Sequence, residues 1–456
     1  MSDNECYLTK GRILDIISSE GARVHFIGVG GVSMCSLFCL SSHFGIKVSG
    51  SDRSAFPLSA ALIGAGADIV IGERAALPSD TRLVVYSHAI PDSARERVLA
   101  VERGIPTVSR AAYMGAIMEC YERRIGVSGS HGKSTVTAMI SKIFSDGSLS
   151  PTTLSGAALF NSHFPFSIGS LDYLIYEGCE YKNSFLSFSP TLSVFLNMEL
   201  DHTDFFRDKA ALSASFVSAM KCADVIIVNA DDGELFALAR LSGRPFVTYG
   251  SSDLADYKYE VCSGKCRDMQ FKVYKKGEFL GVVHLPMLGE FNISNATAAI
   301  ATAMECGVKF ELAASSLSTF SGIGRRLELI GEYEGRRVYY DYAHHPTEIR
   351  ESIRAIGAAE GRVTVVFRPH TYSRTKGLWS DFCSALSTAH HAIILDIDPV
   401  REESISGVSS ASLAAEIGGS YCRTVDEAVE CLSKTDGAVI LMGAAELGDI
   451  KKRLTG

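Results

Sequence analysis

The stretch from Gly126 to Thr135 has the residue types and spacing of a loop that holds the phosphates of a nucleotide. A strand-like apolar run leads into Ser128–Lys133, and a helix-like run follows it. Such a loop places backbone N–H groups around a phosphate at a helix N-terminus, where the helix dipole attracts anions. Lys133 would reach the β- and γ-phosphates, and the Ser134 hydroxyl would bind Mg²⁺. The stretch predicts a P-loop, although the general pattern has its first glycine one position later than this chain does.

A second glycine loop lies closer to the N-terminus. Gly28 and Gly30 follow the apolar run Val24–Ile27, and Asp52 follows the next strand-like run. This is the order of a dinucleotide-binding turn, except that Ser33 stands where the third glycine of that fingerprint would be. The loop predicts a turn that binds a phosphate or a ribose, and a strand-to-helix turn without a ligand explains it equally well.

Carboxylates and a histidine follow two further strand-like runs. Glu177 follows Tyr173–Tyr176, and His202 follows Leu192–Leu196. Loops after parallel strands gather at one edge of the sheet, where α/β proteins bind ligands. Glu177 and His202 are therefore predicted to hold divalent cations beside the P-loop, whereas most of the other acidic residues nearby are expected to form a solvated loop.

Two loops in the last third of the chain combine histidine, arginine and hydroxyl side chains. They are Asp341–Glu348 and Arg368–Thr375, and each follows a strand-like run. Pro346 suits the first turn of a helix. Cationic loops at strand ends suit anionic substrates. Either loop alone is also explained by helix caps and surface histidines.

These motifs, in this order and over nearly the whole chain, resemble the Mur ligase family. The segments that carry the resemblance are His25–Gly31, Ser49–Asp52, Gly129–Thr135, Asp201–Asp204, Phe291–Ala296, Phe320–Arg326, Asp341–Glu348 and Pro369–Lys376. The last two are the most specific. They are similar to the branch that adds L-alanine, rather than to the later ligases of the pathway or to the tripeptide-recycling ligase.

The resemblance implies an activity and its reactants. It implies ATP-dependent ligation of L-alanine to the carboxylate of UDP-N-acetylmuramate through an acyl phosphate, in the synthesis of peptidoglycan precursors. The products would be ADP, phosphate and UDP-N-acetylmuramoyl-L-alanine. The cofactors would be ATP and Mg²⁺, with two ions expected and Mn²⁺ as an alternative metal.

The resemblance also implies roles for individual residues. The residues that would face the UDP-sugar are Gly28, Gly30, Gly31, Ser51, Asp52, Ser87 and His370. Those that would bind ATP are Gly129, Ser130, His131, Gly132, Lys133, Ser134, Thr135, Asn292, Asn295, Arg325 and Asp341. Those that would contact the amino acid are Tyr342, His344 and Arg374, and those near the metal ions are Ser134, Glu177 and His202. The residues expected to take part in catalysis are Lys133, His202, His344 and Arg374, with His344 as a candidate base for the amine.

Three positions depart from the pattern of the wider family. Phe291 stands where relatives commonly have histidine, which affects the expected adenine contact. His88 stands where a second serine is usual, which affects one UDP contact. No lysine lies between Lys209 and Lys221, where other Mur ligases carry a carbamylated lysine. The L-alanine-adding branch is expected to lack that lysine.

Strands that alternate with helices must position these residues, and this alternation predicts an α/β fold with parallel sheets. The sequence predicts helices over Met34–Ser42, Ser134–Phe144 and Asn292–Glu305, and antiparallel strands between Asp253 and Leu285. The resemblance implies three domains: a Rossmann-like N-terminal domain at 1–120, a central P-loop ATPase-like domain at 121–322 and a Rossmann-like C-terminal domain at 323–456.

Composition excludes several classes of protein. The chain has 456 residues, of which 46% are hydrophobic and 21% charged, so it can bury several cores and is not a disordered chain. The net charge of −8 gives no basic excess for nucleic acid, and the 12 scattered cysteines favour reduced thiols. No apolar run is long enough to cross a bilayer, and Asp3 and Glu5 stand in the first ten residues. We expect a cytoplasmic monomer or weak homodimer, without membrane insertion.

Three alternative functions remain open from the sequence. The chain could be a Mur-type ligase that adds glycine or L-serine or uses another nucleotide-linked acid. It could be an NAD-dependent oxidoreductase built on Gly28–Asp52, which leaves the P-loop unexplained. It could also be a P-loop regulatory module, which leaves Asp341–Glu348 and Pro369–Arg374 without a role.

Overall fold

The computed structural model describes residues 8–72, 74, 76–160, 162, 164–202, 205–263, 268–400, 402–445 and 447–455. Within these residues the chain forms three sheets, of five, ten and six strands, with helices packed against them. The predicted α/β class is confirmed. Thr203 and Asp204 of the Asp201–Asp204 motif lie outside the described residues. Among the helices that are described, none has the length and apolar character needed to cross a membrane.

The first sheet has the strand order β3-β2-β1-β4-β5, and its strands are all parallel. The strands are β1 (Arg23–Ile27), β2 (Lys47–Asp52), β3 (Ile69–Ile71), β4 (Thr81–Tyr86) and β5 (Thr107–Ser109). The helices are α1 (Lys10–Ile17), α2 (Val32–His43), α3 (Ser59–Gly64), α4 (Arg95–Glu102) and α5 (Arg110–Ile117). Because β1 and β2 pair in parallel, the glycine loop after β1 and the end of β2 lie at the same edge of the sheet.

The second sheet has the order β15-β14-β13-β12-β11-β10-β6-β9-β7-β8. The strands are β6 (Arg123–Ser128), β7 (Thr152–Leu154), β8 (Phe166–Ser167), β9 (Tyr173–Gly178), β10 (Leu192–Phe195), β11 (Val225–Asn229), β12 (Phe246–Gly250), β13 (Tyr257–Ser263), β14 (Met269–Lys275) and β15 (Glu278–Leu285). The helices are α6 (Lys133–Asp146), α7 (Lys209–Lys221), α8 (Gly233–Ser242), α9 (Phe291–Glu305) and α10 (Phe310–Leu317). The predicted antiparallel strands are confirmed in β13, β14 and β15.

The strand β6 lies between β9 and β10 in this sheet, and both pairings are parallel. The P-loop, Glu177 and the loop that carries His202 therefore leave the sheet at one edge. The alanine-rich helix α9 packs against α6, and eleven of its fifteen residues are buried. Its small side chains allow this close approach, which brings Asn292 and Asn295 towards the P-loop.

The third sheet has the order β16-β17-β21-β18-β19-β20, and only the pair of β16 and β17 is antiparallel among the described strands. The strands are β16 (Glu328–Tyr333), β17 (Arg336–Asp341), β18 (Val363–Phe367), β19 (His391–Ile394), β20 (Ser420–Tyr421) and β21 (Ala438–Met442). The helices are α11 (Pro346–Glu360), α12 (Tyr372–Gly377), α13 (Trp379–Leu386), α14 (Ser410–Glu416), α15 (Val425–Leu432) and α16 (Gly448–Thr455). Pro346 occupies the first turn of α11, as predicted.

Candidate active site

The P-loop connects β6 to α6 through two glycines with left-handed backbone angles. Gly129 has a φ of +146° and Gly132 a φ of +84°. A Cβ at position 132 would lie 2.8 Å from the Asn295 side-chain oxygen. The loop is thus glycine-dependent for both its conformation and its fit against α9. Lys133 follows as the first residue of α6.

Lys133 folds back over this loop. Its ammonium donates to the carbonyl oxygens of Gly129 and, at 3.1 Å, of Ser130. It also lies 3.2 Å from Glu180 Oε2, and only 4% of the Glu180 side chain is exposed. Burial disfavours the charge of Lys133, but the nearby carboxylates outweigh it, Glu180 foremost, and the pKa of Lys133 is raised. The P-loop therefore carries a cation that is largely shielded from solvent, with 17% of its side chain exposed.

A cavity of about 240 Å³ lies between the P-loop, α9 and the C-terminal domain. Asn292 and Asn295 line it side by side, with Asn295 Nδ2 donating to Asn292 Oδ1 at 3.0 Å. Phe291, one of the three noted departures from the family pattern, lines it as well. Asp341 lines the opposite wall, where it accepts from Ser352 Oγ at 2.8 Å, and burial raises its pKa. Phe291 and the two asparagine amides form a wall of the cavity that is suited to a nucleotide base. The cavity opens onto the P-loop.

The neighbouring residues Arg325 and Arg326 contact different parts of the protein. Arg325, which the sequence analysis assigned to ATP, donates to the backbone carbonyls of Gly443, Ala444 and Ala445 at 2.8 to 3.2 Å. Arg326 lines the cavity instead. The guanidinium in the cavity is therefore that of Arg326, while Arg325 joins the start of the C-terminal domain to the segment after β21.

His131 of the P-loop is ion-paired to the C-terminal domain. Its Nδ1 lies 3.2 Å from Glu348 Oε1, and its Nε2 lies 3.3 Å from Glu199 Oε2. Thr347 Oγ1 donates to the same Glu199 oxygen at 2.6 Å. Burial disfavours the imidazolium of His131, but Glu348 and Glu199 outweigh it and raise the pKa of His131 to about 9. The P-loop thus contributes a second cation.

His345 completes this cluster on the side of α11. Potential ligand atoms of His131, Glu199 and His345 lie within 4.8 Å of one another. Burial, and then the charge of His131, lower the pKa of His345 to about 4, so its ring is neutral. Its Nδ1 accepts the backbone N–H of Thr347 at 3.3 Å. Glu348 already pairs with His131, and Thr347 already bonds to His345 and Glu199. We therefore interpret the cluster as an ion-pair network between domains rather than as a metal centre.

A second contact between the domains involves Asp201 and Arg374. Arg374 Nε and Nη2 donate to the two carboxylate oxygens of Asp201 at 3.1 and 3.3 Å. Arg374 Nη1 lies 3.1 Å from His370 Nδ1, and the ring of His344 lies 6.5 Å from that of His370 between centroids. Burial opposes the charge of Asp201, but Arg374 and His202 outweigh it and lower its pKa. The predicted residues His344, His370 and Arg374 are therefore brought together.

The predicted metal residues also leave the sheet together. Glu177 is the penultimate residue of β9, beside β6, and its Oε1 accepts from Ser155 Oγ at 2.9 Å and from the Gly156 N–H at 2.5 Å. Carboxylate and hydroxyl oxygens, here of Glu177 and Ser134, are the donors that Mg²⁺ prefers. His202 stacks on Tyr181 at 4.6 Å and lies 3.9 Å from Glu180 Oε1. Burial lowers the pKa of His202, so its neutral imidazole can serve as a metal ligand. The donor set fits divalent cations.

The first glycine loop forms a separate site on the first sheet. Gly28 has a φ of +79°, and its N–H donates to the Ser51 carbonyl at 2.9 Å. The Gly30 N–H donates to Asp52 Oδ2 at 2.8 Å, and a Cβ on Gly30 would lie 2.7 Å from that oxygen. Gly31 precedes α2 without a side-chain cap. Ser87 accepts the N–H of Ala89 at 3.4 Å, in the loop after β4. The predicted turn is present, with a helix N-terminus behind it.

Fold and site together define an α/β nucleotide-binding protein whose P-loop is paired to a separate C-terminal domain. The family model of the Mur ligase middle domain matches residues 127–303. Those of the Mur ligase catalytic domain and the glutamate ligase domain match residues 23–122 and 325–445. The chain belongs to the Mur ligase family. This decides against the oxidoreductase and regulatory alternatives.

Two curated relatives share one name, UDP-N-acetylmuramate–L-alanine ligase. The UDP-N-acetylmuramate–L-alanine ligase of Clostridium novyi is 37% identical over 444 residues, which is 96% of this chain and 95% of that protein. The one of Lachnospira eligens is 36% identical over 88% of this chain and 90% of that protein.

Solved structures are similar over nearly the full length. The crystal structure of UDP-N-acetylmuramate-alanine ligase MurC from Thermotoga maritima has a TM-score of 0.80 at 23% identity, and covers 95% of this chain and 98% of that one. The murein peptide ligase of Psychrobacter arcticus has a TM-score of 0.69 at 23% identity, with the same coverage of both chains. At these identities the likeness supports the fold alone.

Sequence reasoning left several charged residues of this site without a role. They are Glu180, Glu199, Arg326 and Glu348. Glu348 lies inside the segment Asp341–Glu348, which carried the family resemblance, so its position there was a usable signal. Glu199 precedes the segment Asp201–Asp204 and stood among acidic residues that were expected to be solvated. Nothing in the local pattern distinguishes Arg326 from Arg325, and Glu180 stood among acidic residues that were expected to be solvated.

Proposed function

We propose that this chain joins L-alanine to the carboxylate of UDP-N-acetylmuramate at the expense of ATP, in peptidoglycan precursor synthesis. The products are ADP, phosphate and UDP-N-acetylmuramoyl-L-alanine. The observation that carries the proposal is the 37% identity, over 96% of the chain, to a ligase of that name. The pairing of the P-loop with a histidine- and arginine-containing domain supports it, because this reaction needs both a phosphoryl donor and an amine beside the same carboxylate.

Lys133 serves the first half of the reaction. A carboxylate is a poor acyl donor, so the γ-phosphoryl group of ATP is first transferred to it to give an acyl phosphate. Two anions must meet in that step, and the Lys133 ammonium offsets their repulsion. To do so it leaves Glu180 and the loop carbonyls and contacts the phosphates. The P-loop residues Gly129–Thr135 hold the rest of the phosphate chain.

The nucleotide and metal residues are assigned on the same basis. Asn292 and Asn295 hold the adenine side of the cavity, and Asp341 lies on the opposite wall. We assign Arg326, rather than the predicted Arg325, to ATP, because Arg326 lines the cavity. We assign two divalent cations, one to Ser134 and Glu177 and one to His202, with Mg²⁺ the expected ion and Mn²⁺ an alternative. When bound, these ions supply positive charge against the phosphates and the acceptor carboxylate.

The remaining predicted residues are assigned to the other two substrates. Tyr342, His344 and Arg374 form the amino-acid site, and His370 contacts the sugar acid beside it. The UDP group binds at the edge of the first sheet, beside the glycine loop and the N-terminus of α2. The residues in this assignment are Gly28, Gly30, Gly31, Ser51, Asp52 and Ser87.

Three broader expectations remain predictions. They are domain boundaries after residues 120 and 322, a monomer or weak homodimer, and a cytoplasmic location. A cytoplasmic location suits an enzyme that uses ATP and a nucleotide sugar.

Mass spectrometry of the product tests the proposal directly. The chain is incubated with ATP, Mg²⁺, UDP-N-acetylmuramate and an equimolar mixture of amino acids. We expect phosphate release that needs both the sugar nucleotide and an amino acid, and a product that carries mainly L-alanine. One pocket methyl discriminates by only about 1–3 kcal/mol, so a trace of the glycine product is expected. Phosphate release that is independent of either substrate, or a dominant glycine or L-serine product, would refute the assignment.

A further inference from the structure

Glu348 is the residue on which several groups of the site converge. Its Oε1 lies 3.2 Å from His131 Nδ1 and 3.4 Å from Arg326 Nη1. Its Oε2 lies 3.3 Å from His344 Nδ1 and accepts the backbone N–H of His344 at 3.1 Å. Only 11% of its side chain is exposed. One carboxylate therefore touches the P-loop, the ATP cavity and the amino-acid site.

The surroundings of His344 decide which ring nitrogen carries its proton. Nδ1 faces the backbone carbonyl of Tyr342 at 3.2 Å as well as the Glu348 carboxylate. A carbonyl and an ionised carboxylate accept hydrogen bonds and cannot donate them, so Nδ1 holds a proton. In the neutral ring Nε2 then carries a lone pair. Within the described part of the chain, no hydrogen bond or ion pair occupies Nε2.

The groups that face His344 come from three different elements. Glu348 belongs to α11, which begins two residues after His344, and Asp201 belongs to the loop after β10. His370 and Arg374 belong to the segment that follows β18. His344, whose Nε2 is unoccupied, is therefore part of the cluster of side chains that we assign to the incoming amino acid.

We propose that Glu348 is a positioning residue that holds His344 as the proton acceptor for the amine of L-alanine. The inference rests on the proposed ligase function. L-Alanine arrives with a protonated amine, which gives one proton to His344 Nε2, and the neutral nitrogen then forms a bond to the carbonyl carbon of the acyl phosphate. The carbon–oxygen bond to phosphate breaks, and its electron pair leaves with inorganic phosphate, which takes the second proton of the nitrogen. His344 becomes an imidazolium, whose charge the Glu348 carboxylate offsets.

Comparison of two nucleophiles separates this role from a structural one. Hydroxylamine also traps acyl phosphates, as hydroxamates. It is a much weaker base than an amino acid, so it is neutral in the assay and depends far less on a protein base. A positioned general base contributes about 10²–10⁴ in rate, so we expect Glu348→Gln to lower kcat for L-alanine at least about tenfold. Hydroxamate formation from ATP and UDP-N-acetylmuramate should stay close to wild type, and His344→Gln should show the same selective loss.

Glu360→Gln is the matched control. Glu360 lies at the other end of α11 and also accepts hydrogen bonds from side chains, among them those of Tyr339 at 2.6 Å and Arg337 at 2.8 Å. This variant should leave the rates with both nucleophiles unchanged. If thermal melting shows that Glu348→Gln does not fold, His344→Gln is used in its place. The quantity compared is then the ratio of its rate with L-alanine to its rate with hydroxylamine.

The outcomes are distinguishable. Equal losses with both nucleophiles in Glu348→Gln would mean that the carboxylate acts through the P-loop or the fold, and would overturn the proposal. Unchanged rates with both nucleophiles would overturn it as well. A wild-type chain that forms neither product would refute the ligase function itself, and this inference with it.

Discussion

The Asp201–Arg374 pair offers a direct test of how the domains are held together. Arg374→Lys keeps the positive charge, but a single ammonium cannot reproduce the two parallel hydrogen bonds of a guanidinium. The wild-type bonds measure 3.1 and 3.3 Å, and only 12% and 11% of the two side chains are exposed. Because solvent cannot replace the lost bond well, we expect a cost of about 1.5–3 kcal/mol, the range for hydrogen bonds to charged groups.

This free energy acts on the docking of the C-terminal domain, because Asp201 follows β10 of the second sheet and Arg374 lies in α12 beside the third. A change of this size corresponds to roughly 10–150-fold in the docking equilibrium. Small-angle X-ray scattering should show a larger radius of gyration for Arg374→Lys than for wild type. The apparent KM for L-alanine should rise strongly and that for ATP much less, since Arg374 is also assigned to the amino acid.

Arg354→Lys is the matched control for this experiment. The pair of Arg354 and Glu290 also joins the two domains, at 3.3 Å, but 65% and 56% of the side chains are exposed. Exposed pairs of this kind contribute about 1 kcal/mol or less, so scattering and kinetics should remain those of wild type. An unchanged radius of gyration together with an unchanged KM for L-alanine in Arg374→Lys would refute the reasoning on both points.

Three further predictions concern the two glycine loops. Lys133→Ala should lower the rate of ATP-dependent ligation by roughly 10²–10³, measured as phosphate release, and near-normal turnover would contradict the assignment of Lys133 to the phosphates. Gly30→Ala places a Cβ 2.7 Å from Asp52 Oδ2, so the KM for the UDP-sugar should rise while that for ATP does not. Gly11→Ala, where nothing lies within 4 Å, is its control, and equal effects would argue against a site at this turn. The pKa of His131 is raised from 6.5 to about 9, so its stabilising contribution should be complete below about pH 6.5 and lost as the pH rises through about 9. Melting temperatures between pH 6 and 10 should therefore fall more steeply for wild type than for His131→Gln, and parallel curves would contradict the ion-pair network.

The sequence by itself determined the parts of this protein that depend on neighbours along the chain. The helix Ser134–Phe144 was predicted and is observed at Lys133–Asp146, because a glycine loop followed by a helical apolar pattern has a local physical cause. The strand before it and the alanine-rich helix α9 were predicted for the same reason. The order of parallel strands also explains why Glu177 and the P-loop leave one edge of the sheet. The family motifs placed the functional loops in the correct order.

Only the tertiary structure decided which charged groups meet across the domains. His131 and Glu348 are more than 200 positions apart, and their contact exists only because α11 docks on the P-loop. The same docking places Arg326 in the ATP cavity, while Arg325 binds the carbonyls after β21. Local patterns record periodicity and turn chemistry over a few residues. They do not record the angle at which two folded domains pack, and that angle sets the electrostatics of this site.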